Sequence, residues 1–117
     1  KDGNKVVVAD RQELRQALSR TAILSNEKFR GIRVLISTGQ LQLSANNPEQ
    51  EEAEEAVSVE YQGDNLEVGF NVSYLQDVLG VIGSEKVRLT LLDANSSAVL
   101  EDPDREDAVY VVMPMKL

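Results

Sequence analysis

Apolar and polar positions alternate along this chain in two rhythms, one of period two and one near 3.6, and the switches between them mark out ten elements. Lys5-Val6-Val7-Val8 is a β-branched run that predicts a strand. Asp10, followed three residues later by Glu13, forms a capping-box-like start, so a helix is expected over Arg11–Leu24. Leu14, Ala17, Leu18, Thr21 and Leu24 fall on one stripe of it, the core face. Arg11, Gln12, Arg15, Gln16 and Arg20 lie opposite. At about 100° per residue Ile23 also falls on that polar side, as a stray apolar residue or as part of a contact with another subunit.

The next stretches return to period two. Arg33–Ser37 and Leu41–Ala45 turn Val34, Ile36, Leu41 and Leu43 inward around Thr38-Gly39-Gln40, which predicts a hairpin. Asn46-Asn47-Pro48 should break the pairing, and an acidic run, Glu49 to Glu55, leads into a strand marked by Val57, Val59 and Tyr61. Gly63-Asp64-Asn65 turns the chain, and Leu66, Val68 and Phe70 alternate on the return. A second helix starts at Asn71 or Ser73, the latter making a capping-box pair with Gln76. Its core stripe is Leu75, Val78, Leu79 and Ile82, and Gly83 ends it. Strands over Lys86–Leu92, Ser97–Glu101 and Ala108–Met113 follow, joined by turns at 93–96 and 102–107. The order is β-α-β-β-β twice over. The class is α+β, with both helices packed side by side against a curved antiparallel sheet.

The final segment, Tyr110-Val111-Val112-Met113-Pro114-Met115-Lys116-Leu117, grows more apolar toward its end. Pro114 should stop strand pairing near Met113. The tail therefore either folds back over its own core or lines a surface made for something else, a use to which adaptable Met side chains are suited.

Composition narrows the function. The chain of 117 residues is one domain's worth, and its start at Lys1 suggests a piece of something longer. It has neither Cys nor His, which removes thiolate nucleophiles, Cys-based zinc sites and the usual general base near neutral pH. Enzymatic activity is not expected, and no cofactor is implied. No run approaches the roughly 18 apolar residues of a membrane span, so a soluble, cytoplasmic protein is expected. A net charge of −8 argues against a free-standing nucleic-acid binder. Its distribution is uneven: eight of the twelve basic residues lie in Lys1–Arg33, and sixteen of the twenty acidic ones between Glu49 and Asp107. The asymmetry means two faces with different electrical roles, or two solvated surfaces. Neither Glu51–Glu55 nor Asp102, Asp104 and Glu106 has the turn glycine and spaced carbonyls of a loop chelator, so no metal is expected at either.

Four ungapped runs carry a resemblance: 21–31 (TAILSNEKFRG), 46–55 (NNPEQEEAEE), 69–74 (GFNVSY) and 110–115 (YVVMPM). With them, over essentially all 117 residues, the chain resembles the C-terminal, third domain of the bacterial sliding clamp family, the β subunit of DNA polymerase III, with domains I and II absent. The resemblance implies a DNA-clamp fold and a processivity role: two three-domain subunits closed head to tail into a homodimeric ring that slides on duplex DNA without reading sequence. It implies that helices line the hole, with Arg11, Arg15 and Arg20 facing DNA. It places Ile23, Leu24, Glu51, Glu52, Glu54 and Glu55 at the subunit interface. Polymerase and clamp-loader subunits, with mismatch-repair and lesion-bypass proteins, would dock short Gln-x-x-Leu-Phe motifs. Their implied site here comprises Asn71, Tyr74, Asn95, Ser97, Val111, Val112, Met113, Pro114, Met115, Lys116 and Leu117. The competing class is a stand-alone peptide-binding module unrelated to DNA; a catalyst built on the carboxylates is a weaker one.

Overall fold

A computed structural model describes residues 5–22, 31–46, 52–93 and 95–115. Its elements run β1 (Lys5–Asp10), α1 (Arg11–Ala22), β2 (Gly31–Ser37), β3 (Gln40–Asn46), β4 (Glu52–Glu60), β5 (Leu66–Asn71), α2 (Val72–Val81), β6 (Lys86–Leu91), β7 (Ala98–Asp102) and β8 (Arg105–Val112). That is the doubled β-α-β-β-β order expected from the sequence. The strands form a single eight-stranded antiparallel sheet in the order β5-β2-β3-β4-β1-β6-β7-β8. The two halves meet at two pairings, β1 beside β6 and β2 beside β5.

Both helices lie on one face of this curled sheet. Leu14, Ala17, Leu18 and Thr21 are the buried residues of α1, as their spacing requires, and the buried Thr21 hydroxyl donates to the carbonyls of Ala17 and Leu18. α1 packs over β4, β3 and β1, and α2 over β5 and β8. Period-two inward positions supply the rest of the core, among them Val34, Ile36, Leu41, Leu43, Val57, Val68, Phe70, Leu89 and Leu100. The helices run antiparallel: Arg11, opening α1, reaches the end of α2, while Ser19 accepts a 3.2 Å hydrogen bond from Gln76.

Local signals hold at most boundaries. Asp10 Oδ1 accepts from the Glu13 amide at 2.9 Å, the N-cap bond of α1. Gly39, at φ +79°, lets Thr38-Gly39 close the β2–β3 hairpin. Other boundaries differ. Asn71, not Ser73, caps α2, its carboxamide oxygen accepting from the amides of Ser73 (2.9 Å) and Tyr74 (3.3 Å). α2 ends with Ile82 in extended backbone, and Gly83 does not take the left-handed cap conformation. The turn expected over 102–107 shrinks to Pro103-Asp104, because Asp102 folds its buried carboxylate onto the Asp104 amide at 2.8 Å and β8 begins at Arg105. The acidic run is not a connector: from Glu52 onward it is strand, paired with β3 as far as Asn46↔Glu52. β5 returns beside β2 rather than β4.

The tail ends the circuit. The Met115 amide donates to the Gly69 carbonyl at 2.7 Å, an antiparallel bridge on the side of β5 away from β2. The chain that leaves the last strand of the order is thereby tied to the first.

Candidate functional site

Three surfaces emerge from these elements. On the tail surface, period two decides which side chains face out. Val111 and Met113 are 63% and 65% exposed, whereas Val112 between them is 4% exposed and belongs to the core. The side chain of Val112 therefore cannot be a wall of a docking surface, a correction to its expected place there. Pro114 is half-buried and Met115 exposed. The tail's backbone is pinned at Gly69 and Val112 belongs to the core, while the sulfur-bearing side chains of Met113 and Met115 reach outward.

β5 and α2 bring the next residues to the same end of the molecule. Gly69, which holds Met115, is two residues from Asn71, and Asn71 caps the turn that carries Tyr74. Tyr74 is 61% exposed. Ser97, just before β7, donates to Met113 Sδ at 3.0 Å, bringing the loop ahead of β7 to the tail. In that loop the Asn95 amide donates to Asp93 Oδ1 at 2.8 Å. This amide and the Ser96 hydroxyl hold the Asp93 carboxyl below its ordinary value. Lys116 and Leu117 lie outside the described residues. Exposed apolar groups (Tyr74, Val111, Met113, Met115) and two half-buried polar ones (Asn71, Ser97) thus lie on segments that the Met115–Gly69 and Ser97–Met113 contacts join.

The second surface is the outer face of α1. Gln12, Arg15, Gln16, Ser19 and Arg20 line one shallow open groove. Arg11 leaves this set. Its Nε donates to Ser84 O at 2.8 Å and its Nη1 to Leu79 O at 3.0 Å, so its charge sits against the carbonyl end of α2, where the helix dipole favours it. Arg20 donates through Nε to Glu55 Oε1 at 2.8 Å. Arg15 has no carboxylate within 4 Å among the described residues.

The third surface is β4. Alternation sends Glu52, Glu54 and Glu60 to its exposed face and turns Glu55 to the helix side, where it meets Arg20. The acidic run is thus two sets of charges, not one. Glu51, Ile23 and Leu24 lie outside the described residues. Among the described residues no group of three or more Asp or Glu is placed to hold a metal ion, and no helix is long and apolar enough to cross a membrane. The alternation of apolar and polar positions does not announce the Met115–Gly69 tie. A glycine inside the alternating run Leu66–Phe70 was its one available signal, since such a glycine often marks a close backbone approach.

Known proteins share this arrangement. Residues 1–116 match the family model described as DNA polymerase III beta subunit, C-terminal domain. The beta sliding clamp of Pseudomonas aeruginosa is 68% identical over 115 residues, which are 98% of this chain and 31% of that protein. The beta sliding clamp of Escherichia coli K12 is 53% identical over 117 residues, covering 100% of this chain and 32% of the relative. The crystal structure of the P. aeruginosa DnaN sliding clamp bound to griselimycin superposes with a TM-score of 0.95 at 67% identity, over 100% of this chain and 32% of that one. The chain spans about a third of the length of the curated relatives it matches.

Proposed function

The chain belongs to the DNA polymerase III beta subunit family, as its C-terminal domain, and from that premise we propose that it is one third of a non-catalytic sliding clamp. In the whole subunit, two copies close head to tail around duplex DNA in the cytoplasm and confer processivity on the replicative polymerase. The outer face of α1, with Arg15 and Arg20, fronts the DNA. Its contacts are to phosphates and carry no sequence information, which is what sliding requires. Arg11 serves the fold instead, joining α1 to α2. Ile23, Leu24, Glu51, Glu52 and Glu54 form this domain's share of the subunit junction, with the carboxylates steering closure, whereas Glu55, turned to the helix side and paired with Arg20, leaves that set.

The observation that carries the docking half of this reading is the tail, fixed by its backbone at Gly69 while Val111, Met113 and Met115 are exposed. Short apolar motifs of the Gln-x-x-Leu-Phe kind, carried by polymerases, the clamp loader, mismatch-repair and lesion-bypass proteins, fit such a surface. Leu and Phe would bury against the Met and Val walls while Asn71, Ser97 and backbone groups orient the peptide.

Calorimetry of a Gln-x-x-Leu-Phe peptide against this chain tests it. Binding lost on deleting 113–117, with a scrambled peptide silent throughout, is the expected result; equal binding of the scrambled peptide refutes the docking role. In the full-length subunit, Ile23→Ala with Leu24→Ala is expected to shift dimer to monomer in sedimentation. An unchanged dimer at low concentration would remove those two residues from the junction.

A further inference from the structure

We infer that Glu55 sets how strongly the outer face of α1 holds a polyanion, by competing for Arg20; this rests on the reading of α1 as the helix that fronts duplex DNA. Three observations meet at this pair. Glu55 is turned by the alternation of β4 away from Glu52 and Glu54 and toward the helix layer. Its Oε1 accepts from Arg20 Nε at 2.8 Å, in a pair exposed at Arg20 and half-buried at Glu55. Arg15, on the same groove, has no such partner among the described residues. The two arginines are therefore unequal: one offers its full charge to a phosphate, and the other offers a charge already offset by a neighbouring carboxylate.

The geometry separates charge from orientation. Nε is one of the five N–H donors of a guanidinium, so four others are left for a phosphate while Glu55 holds the group by its root. Phosphate must then compete with the carboxylate field at that group, and each contact made by Arg20 is weaker and shorter-lived than one made by Arg15. Glutamine at this position keeps an oxygen to accept from Nε and removes only the charge. Glu55→Gln should therefore strengthen duplex binding through Arg20 by about two- to five-fold, the range set by the strength of an exposed ion pair. It should also steepen the dependence of log K on log salt by up to about one per domain.

The test is a double-mutant cycle in the full-length subunit, reading affinity for a short linear duplex by fluorescence anisotropy across a salt series, so that any change in ring closure caused by Glu55→Gln cancels. Arg20→Ala is expected to weaken binding more in the Glu55→Gln background than in the parent. Arg15→Ala is expected to weaken it equally in both. An Arg20→Ala loss that is equal or smaller in the Glu55→Gln background overturns the inference. If Arg15→Ala and Arg20→Ala both leave affinity unchanged in either background, the reading of α1 as the DNA-facing helix fails with it.

Discussion

The fourth strands of the two halves, β4 and β8, occupy matching places in the doubled β-α-β-β-β plan and present opposite chemistry to solvent. β4 shows Glu52, Glu54 and Glu60 on its exposed face; β8 shows Val109 and Val111, and the exposed series continues into Met113. Their inner faces agree: Val57 and Val112 are both buried among aliphatic neighbours. The fold constrains one face of each strand, since a one-residue slip would expose the core set. The other face is available for a carboxylate row on one copy and an exposed apolar row on the other. The helices diverge in the same way, α1 carrying three arginines and α2 none.

The largest expected effect tests that division on the outside. Met113→Glu should weaken Gln-x-x-Leu-Phe peptide binding by about 30-fold or more, the scale of a buried anchor residue, while Glu54→Lys leaves it unchanged in the same calorimetric titration. Equal losses from both would erase the distinction between the strands. On the inside the two strands should behave alike. Val57→Ala and Val112→Ala are each expected to lower unfolding free energy by about 1–3 kcal/mol in urea melts. Their outward neighbours, changed by Glu54→Gln or Val111→Ser, should stay within about 0.5 kcal/mol of the parent.

Helix caps give a smaller contrast. Asp10→Ala and Asn71→Ala each remove an N-cap acceptor and should cost about 1 kcal/mol of stability. Asn71→Ala should also weaken peptide binding, because it loosens the turn that carries Tyr74; an equal loss of binding from Asp10→Ala would point to global destabilisation instead. The smallest effect is at Asp93. Its lowered carboxyl value means that its contribution to loop order is present above the ordinary Asp value and is lost only as pH falls through the lowered one. An NMR titration of the Asn95 amide should accordingly show a midpoint below that ordinary value.

The order of elements was legible in the sequence because each depends on neighbours within a few residues. Leu14, Ala17, Leu18 and Thr21 declare a helix face by spacing alone, as Val34, Ile36, Leu41 and Leu43 declare a hairpin. Contacts between distant backbone groups leave little mark beyond a glycine such as Gly69. Nothing in Leu66–Asn71 says that β5 will lie beside β2, and the Met115–Gly69 bond joins atoms 46 residues apart in the chain. Residue type also misled where one residue serves two ends. Arg11 reads as another cation on a polar face, yet its position at the first turn lets it satisfy carbonyls at the end of α2. Glu55 reads as one more acid in a run, and only the strand's alternation shows that it faces the other way.

The Met115–Gly69 bridge has a mechanical side. A partner gripping Met113 and hauling along the tail would load the sheet at two places: the ladder between β8 and β7, and the outer edge of β5. Tension on the tail is therefore shared between the β8 ladder and the edge of β5 rather than carried by one strand alone.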